Sequence, residues 1–244
     1  MSWLPVRGPV SAPPQRCASE GARVIAANYH ADRLDERRKG FEDSMRGSAL
    51  DLRNSDAVFA SVAELLEDFK DISILVNNAG VGLGLEPAHK AQLGDWEAIV
   101  DTNIRGVLYC TRAILPGMVE RGHGHIVNIS STAATNNYKG GNVYGGSKAF
   151  VPQFLLNLRC GLLGTPIRVS SIEPGMTETR FTEVRFREDS SKTAAHYEGL
   201  TPLSGDDLAD VIYYTTMVPA HVNINSLQVT LIGMAPAGYA IHRE

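Results

Sequence analysis

The chain has 244 residues, of which 43% are hydrophobic and 20% are charged, which is the composition of an ordinary globular domain. Its formal net charge of -4 argues against nucleic acid or an anionic membrane as a partner. No apolar stretch reaches the roughly 20 residues that cross a bilayer, and prolines interrupt the region where a secretion signal would be apolar. The expected location is therefore cytoplasmic.

From Gly21 onward, short apolar runs alternate with amphipathic stretches, a pattern typical of βα units that build a parallel sheet. Strands are predicted at residues 23–27, 72–77, 125–130, 167–172 and 227–231, with a weaker one near residues 49–50. Helices are predicted at residues 57–69 after a cap at Asn54 or Ser55, at 96–119 after Asp95, at 143–162, and from Ser204 to residue 217. Residues 21–244 are thus expected to form one α/β domain, a doubly wound parallel sheet with helices on both faces.

Tyr144 and Lys148 stand four residues apart on the predicted helix 143–162, which places both side chains on one face. An ammonium beside a phenol favours the phenolate and would lower the pKa of the phenol from about 10 toward the range useful for proton transfer. A surface pair without a function would show the same spacing. Other motifs are needed to decide between the two interpretations.

Three further motifs accompany this pair. Asn77-Asn78-Ala79-Gly80 closes the strand at 72–77, Asn103 lies in the helix that follows, and Ser131 follows the strand at 125–130. With Tyr144-Gly-Gly-Ser-Lys148, these motifs resemble the short-chain dehydrogenase/reductase family, from Gly21 to the C-terminus. The resemblance implies a Rossmann-like fold and an oxidoreductase that uses a nicotinamide cofactor.

The resemblance also implies a role for each of four catalytic side chains. Tyr144 would exchange the hydroxyl proton of the substrate, and Ser131 would hydrogen-bond the substrate oxygen. Lys148 would bind the nicotinamide ribose and depress the pKa of Tyr144, while Asn103 would hold a water that links Lys148 to solvent. Taken singly, Ser131 could instead satisfy the backbone at a strand end, and Asn103 could mark a helix kink. All four together favour the catalytic interpretation.

Further positions are implied to bind the cofactor. Asp51 would contact the adenine, and Pro174, Gly175 and Thr179 would lie beside the nicotinamide. The other cofactor-binding residues that the resemblance implies are Asn77, Ala79, Gly80, Tyr144 and Lys148. Arg185 is the candidate for binding a substrate carboxylate, because a guanidinium grips a carboxylate through paired hydrogen bonds. A solvated arginine would fit the same place.

Residues 85–90, 141–144, 184–186 and 219–225 more narrowly resemble NADP-dependent 3-hydroxy acid dehydrogenases, which are similar to L-allo-threonine dehydrogenase and malonic semialdehyde reductase. This resemblance implies NADP as the cofactor, with NAD as the remaining choice. It also implies a homotetramer and a small hydroxy acid or oxo acid as the substrate, such as L-allo-threonine, serine or 3-hydroxypropionate. Two alternatives stay open: a pseudo-enzyme that serves as an oligomerising or partner-binding scaffold, and a family enzyme for another alcohol or ketone.

The N-terminal segment, residues 1–20, departs from the family pattern. A dinucleotide-binding domain begins with an apolar strand and a turn of the form Thr-Gly-x-x-x-Gly-x-Gly, whereas residues 1–17 lack this turn and carry Pro5, Pro9, Pro13 and Pro14. Because proline donates no backbone N–H, the segment is expected to form neither a central strand nor a following helix.

Two explanations for this segment stay open. The N-terminus could be divergent or disordered. Alternatively, it could be a translation in the wrong reading frame that rejoins the true frame near residues 17–21. Reading the codons of residues 2–12 one base earlier permits Val-(Leu or Val)-Val-Thr-Gly-Ala-x-x-Gly-Phe-Gly, which is the missing strand and turn.

The residues after the strand at 23–27 would set the choice of cofactor. An acidic side chain there would bind the ribose of NAD, and an arginine the phosphate of NADP. Asn28, Tyr29 and His30 are neither, whereas Arg33 follows shortly after them. The sequence therefore favours NADP.

No metal site is predicted. Cys17, Cys110 and Cys160 are scattered along the chain, which gives neither a disulfide framework nor the spacing of metal ligands. His123-Gly-His125 lacks a third ligand at a useful spacing, so it is expected at the surface or in a turn.

Overall fold

The computed structural model describes residues 2–5, 13–28, 40–41, 43–65, 70–235 and 241. Strands in these residues form one parallel sheet with the order β3-β2-β1-β4-β5-β6-β7. They are β1 (Ser2–Pro5), β2 (Val24–Asn28), β3 (Met45–Ala49), β4 (Ile74–Asn77), β5 (Gly124–Ile129), β6 (Ile167–Pro174) and β7 (Ser226–Val229). The order reverses between β1 and β4, the point at which doubly wound sheets bind ligands. The predicted fold class is confirmed.

Helices pack on both faces of this sheet. Those in the described residues are α1 (Pro13–Ser19), α2 (Ser55–Ala63), α3 (Leu93–Val100), α4 (Gly106–Arg121), α5 (Asn142–Gly161), α6 (Arg180–Arg185), α7 (Ser190–Tyr197) and α8 (Gly205–Met217). Short 3₁₀ turns lie at Ala88–Lys90 and Thr132–Ala134, and a π-helical turn lies at Asp101–Arg105. None of the described helices is long and apolar enough to cross a membrane.

The hydrophobic core lies on both sides of the sheet. Leu75 and Ile126 pack on one side with α2, α4 and α5, whereas their neighbours Val76 and Val127 pack on the other side with α1 and α8. Successive strand residues point to opposite faces, so a strand that is covered on both faces needs apolar residues at every position. This requirement explains why the central strands are visible in the sequence as continuous apolar runs.

The first βα unit differs from the sequence prediction. β1 lies in the middle of the sheet, paired with β2 and β4, and α1 follows it. Pro5 is the last residue of β1, so its missing N–H affects only the end of the ladder. Pro13 and Pro14 begin α1, where the first N–H groups have no partner within the helix in any case. The prediction that these prolines prevent a strand and a helix was wrong.

Several sequence predictions fall outside the described residues. They are the phosphate-binding turn expected at residues 6–12, the cofactor-choice residues Tyr29, His30 and Arg33, and the end of the helix predicted at 57–69.

The helix boundaries follow local capping chemistry. Asn54 caps α2 by accepting from the Ala57 N–H, and Ser204 forms a capping box with Asp207 at the start of α8, as the sequence predicts. α3 begins at Leu93 after Gln92 rather than after Asp95, which lies in the first turn, where its charge suits the helix dipole. The helix predicted at 96–119 is in fact α3, the π-helical turn and α4.

His125 is buried within β5, so the expectation of a surface or turn position was wrong for this residue. Its Nε2 lies 2.8 Å from the Ser170 hydroxyl oxygen. Burial lowers the pKa of His125 to about 3, with a further contribution from nearby Arg168, so the ring is neutral at physiological pH. Within the described part of the chain, no group of three metal-ligating side chains is found.

Candidate active site

Four predicted catalytic side chains meet at the carboxyl ends of β4, β5 and β6. Ser131 follows β5, Tyr144 and Lys148 lie in the first two turns of α5, and Asn103 lies in the π-helical turn between α3 and α4. All four are buried. Ser131 and Tyr144 line a cavity of about 170 Å³, similar in size to engineered cavities that bind benzene at about 150 Å³.

The turn before α5 fixes where this helix begins. Gly140 has φ of +81°, and a Cβ there would lie 2.3 Å from the Leu85 carbonyl oxygen, so only glycine fits. Asn142, the first residue of α5, has φ of +35°, and its Nδ2 donates to the Glu86 carbonyl at 2.9 Å. These contacts attach the start of α5 to the loop after β4, two residues before Tyr144.

Lys148 carries a buried ammonium beside the phenol of Tyr144. Its Nζ donates to the Ile129 carbonyl at 2.8 Å and lies 6.0 Å from the centroid of the Tyr144 ring. Burial lowers the pKa of Lys148 to about 8, because charge is costly away from water. An ammonium has three N–H donors, and within the described residues one of them has an acceptor. The remaining two suit a ribose diol, so the site fits the sugar of a nicotinamide cofactor.

Ser131 holds its hydroxyl at the end of β5. The residue caps the short turn Thr132–Ala134, and its Oγ accepts from the Ala133 N–H at 3.1 Å. The same hydroxyl donates to the Pro174 carbonyl at 3.4 Å, a long bond that an incoming oxygen could replace. Ser131 therefore hydrogen-bonds the backbone and also faces the cavity. A backbone role and a hydrogen bond to a substrate oxygen are thus compatible.

Asn103 connects the loop after β4 to α5. Its Oδ1 accepts from the Val81 N–H at 2.8 Å, and its Nδ2 donates to the Val81 carbonyl at 2.9 Å and to the Ser147 hydroxyl at 3.0 Å. Both amide hydrogens are thus in use. A water at Asn103 would have to be bound through an oxygen, either the second lone pair of Oδ1 or the backbone carbonyl.

The predicted cofactor-binding residues fall into two groups. Gly80, Pro174 and Gly175 lie close to the catalytic side chains: a Cβ on Gly80 would stand 3.2 Å from the Lys148 Nζ, and the other two line the cavity. The side chains of the second group are directed to other protein atoms. Asn77 donates to Thr111 and Asn128 in the interior, Asp51 pairs with Arg53, and Thr179 caps α6. Ala79 is buried.

Arg185 lies at the cavity, on the last turn of α6. Its guanidinium carbon is 4.7 Å from the Tyr144 ring centroid and 4.9 Å from that of Phe181. Its Nη2 donates to the Tyr138 hydroxyl at 3.2 Å, whereas its Nε is buried with no hydrogen-bond partner in the described residues. The arginine is therefore half-buried and held among aromatic rings.

Sequence reasoning missed the aromatic wall of this cavity. It contains Tyr138, Phe181, His196 and Tyr197. The Tyr197 hydroxyl donates to the Thr177 carbonyl at 2.8 Å and also contacts the Thr182 hydroxyl, which joins α7 and α6 to the segment after β6. These residues come from two helices and a loop that follow no common spacing, so the only signal available was their aromatic character.

A family model described as short chain dehydrogenase matches residues 12–190, which is more than half of the chain. With the fold and the cluster of Ser131, Tyr144 and Lys148, this match shows that the chain belongs to the short-chain dehydrogenase family.

Among curated relatives, the chain is 46% identical over 231 residues to the NADP-dependent 3-hydroxy acid dehydrogenase YdfG of Escherichia coli K12, covering 94% of this chain and 93% of that one. It is 44% identical over 230 residues to the serine 3-dehydrogenase of Rhizobium radiobacter, covering 94% and 92%. Among solved structures, it is similar to the closed form of a serine dehydrogenase complexed with NADP⁺, with a TM-score of 0.95, 44% identity and complete coverage of both chains.

Proposed function

We propose that the protein transfers a hydride between NADP(H) and a small 3-hydroxy acid of the L-allo-threonine, serine or 3-hydroxypropionate type. The observation that carries the proposal is that one cavity is lined by a hydroxyl at a strand end, a phenol beside a buried ammonium, and an arginine: Ser131, Tyr144 and Arg185. Relatives named as NADP-dependent and as acting on 3-hydroxy acids or serine support both the cofactor and the substrate class.

In this mechanism, the protein positions the alcohol and moves its proton. Ser131 donates a hydrogen bond to the substrate oxygen, and Tyr144 takes the hydroxyl proton in oxidation or returns it in reduction. Lys148 favours the phenolate of Tyr144 and offers its two remaining N–H groups to the nicotinamide ribose. Asn103 fixes the loop that holds Gly80 against Lys148. Bound NADP supplies the hydride acceptor or donor at its nicotinamide ring.

Arg185 provides the partner for the carboxylate of the substrate. It is the one arginine or lysine side chain among the described residues that line the cavity, and no carboxylate lines that cavity within the same residues. A guanidinium with a free donor binds a carboxylate in a charge-assisted hydrogen bond. Arg185→Ala should therefore raise KM for hydroxy acids more than for uncharged alcohols. An equal rise for both would contradict this role.

The assembly that the proposal implies is a homotetramer located in the cytoplasm. Large apolar side chains are exposed on helices of both faces: Val119 on α4, Leu156 on α5, and Tyr214 and Met217 on α8. Light scattering coupled to size-exclusion chromatography should give four times the chain mass of 26.4 kDa, and a monomer would contradict the proposal. Fractionation of the native cells tests the location.

The function is tested with a small panel of substrates. NADP⁺ and NAD⁺ are each offered with L-allo-threonine, serine, 3-hydroxypropionate and the methyl ester of 3-hydroxypropionate as an uncharged comparison. We expect oxidation of the acids with NADP⁺ at a higher kcat/KM than with NAD⁺, and a lower kcat/KM for the ester. Turnover of the ester but not of the acids would assign the enzyme to another alcohol. Absence of turnover with retained NADPH binding would favour the scaffold alternative.

A further inference from the structure

The contact between Arg185 and the ring of Tyr144 has an electrostatic consequence beyond carboxylate binding. At 4.7 Å from the ring centroid, the guanidinium is within the distance at which a cation interacts with an aromatic face. Phe181 lies on the same guanidinium at 4.9 Å, and the two rings are 5.4 Å apart. The positive charge is therefore held against the catalytic phenol by packing.

The charge on Arg185 is not neutralised by a carboxylate within the described part of the chain. Its Nη2 donates to the Tyr138 hydroxyl, and its Nε has no hydrogen-bond partner among the described residues. A nearby carboxylate would cancel the field of the guanidinium. Without one, the field acts on the aromatic rings around it.

Tyr144 therefore faces cations from two different elements. Lys148 lies on the same helix, α5, with its Nζ 6.0 Å from the ring centroid, and Arg185 approaches from α6. The other titratable side chains that line the same cavity are Tyr138, His196 and Tyr197. None of these three is a carboxylate. Among the described residues, Lys148 and Arg185 are thus the cations that face the phenol.

We propose that Arg185 is a second electrostatic partner of Tyr144, one that favours the phenolate and is weakened when a substrate carboxylate binds. The inference rests on the proposed function, which assigns the proton transfer to Tyr144 and the carboxylate to Arg185. A cation over the ring stabilises the phenolate more than the neutral phenol. The carboxylate then partly cancels this cation, so the bound acid raises the proton affinity of the base that deprotonates its own hydroxyl group. An uncharged substrate does not.

The direct test is a spectroscopic titration of the full chain that does not depend on turnover. The ultraviolet signal of tyrosinate is followed against pH in the wild type, in Arg185→Met and in Arg185→Lys, with Tyr144→Phe identifying which part of the signal belongs to Tyr144. We expect Arg185→Met to move the Tyr144 midpoint to higher pH by about one unit. Arg185→Lys keeps a charge and should move it less.

The matched control is Arg180→Met on the same helix. Arg180 is exposed, pairs with Glu183 and does not line the cavity, so its loss should leave the Tyr144 titration unchanged. Near-ultraviolet circular dichroism of each variant checks that the aromatic packing is retained. If Arg185→Met fails to fold, the titration of Arg185→Lys is compared with that of the wild type. The expected shift of the Tyr144 midpoint is then smaller.

The second test uses the pH dependence of oxidation with 3-hydroxypropionate and with its methyl ester. In the wild type, the acidic-limb midpoint of kcat should lie above that of kcat/KM for the acid, and the two should coincide for the ester. Arg185→Met should abolish this difference. An identical Tyr144 titration in the wild type and in Arg185→Met overturns the inference even if hydroxy acids are oxidised. A shifted titration without any oxidation of hydroxy acids would reject the proposed function. It would still support the electrostatic effect of Arg185 on Tyr144.

Discussion

Two regions of one sheet differ in what their side chains contribute. Between β4 and β6, the functional side chains are held by specific buried contacts, such as Asn103 to Val81 and Lys148 to the Ile129 carbonyl. In the first βα unit, backbone pairing places β1 in the centre of the sheet, and two prolines begin α1 where the family has a glycine-rich turn before its helix.

The difference shows that a strand and a phosphate site make different demands on sequence. Parallel pairing needs backbone N–H and C=O groups, which most residues supply, and it tolerates a proline at a strand end. A pyrophosphate needs several N–H groups and a backbone close enough to reach it, which only glycine permits. Residues 6–12 contain a single glycine, Gly8. The sequence therefore carries every side chain predicted for proton transfer, whereas residues 6–12 lack the glycines of the predicted phosphate-binding turn.

The largest expected effect tests the proton-transfer half. Tyr144→Phe removes only the ionisable hydroxyl from a buried ring that still packs against Phe181. Loss of a general acid or base lowers kcat by roughly 10²- to 10⁴-fold. Steady-state rates of the variant and of an active parent measure this change, and melting curves should show that the fold is kept. Near-parental turnover would remove Tyr144 from the mechanism.

The next prediction concerns Lys148→Met, for which activity and stability are expected to change in opposite directions. Lys148→Met should weaken NADPH binding and move the pH–rate profile to the alkaline side, because one ammonium serves both the ribose and the phenol. A profile unchanged in position and height would contradict the pairing of Lys148 with Tyr144.

The same variant should be more stable than the parent near neutral pH. Because the pKa of Lys148 is lowered from its ordinary value to about 8 in the folded state, the unfolded chain binds more protons as pH falls from about 10.5 to 8. Stability is therefore highest above the unfolded pKa and is lost as pH falls through the folded pKa. The loss is on the order of 3 kcal/mol, reduced in practice by the hydrogen bond to Ile129. Melting temperatures of both proteins at pH 7 and pH 10 should converge at the higher pH.

The third prediction addresses the phosphate-binding half directly. A chain in which residues 2–12 carry the frame-shifted sequence Val-Leu-Val-Thr-Gly-Ala-x-x-Gly-Phe-Gly should bind NADPH roughly tenfold or more tightly than the chain as it stands. Because β1 is already in the sheet, the gain in melting temperature should be largest when NADPH is present. Cofactor fluorescence and melting curves decide this point.

Each outcome of that titration has a definite meaning. Equal affinity for the two chains would show that residues 1–17 hold the cofactor in another way, and the frame-slip explanation would be unnecessary. If neither chain binds NADPH, the loss lies elsewhere, and Asn28 to His30 are the next positions to change.

The smallest effect tests how the first βα unit is anchored. α1 packs against α8, whose start is fixed by the capping box of Ser204 and Asp207. Ser204→Ala removes the cap and should cost about 1 kcal/mol in the free energy of unfolding. The kcat of an active parent should not change, because Ser204 does not line the cavity. Urea unfolding with a parallel rate measurement checks both points. A lower kcat in Ser204→Ala, measured where the variant is fully folded, would contradict the separation of the two regions.

Much of this architecture was predictable because it depends on local patterns. The apolar runs at β4, β5 and β6 and the spacing of Tyr144 and Lys148 predicted the sheet and one face of α5. The presence of proline does not report its position within an element: Pro5 and Pro13 predict broken structure, yet they lie at a strand end and a helix start, where proline is tolerated. The cation–π contact of Arg185 depends on residues distant in sequence, and no single-sequence pattern reports it.

The π-helical turn at Asp101–Arg105 is a feature that the deletion of one residue could remove. A π-helical turn contains one residue more than an α-helix needs. Deleting one residue in this turn would let α3 and α4 continue as one regular helix. A single deletion would thereby change the backbone around Asn103 and its hydrogen bonds to Val81, whereas the helices on either side could keep their packing.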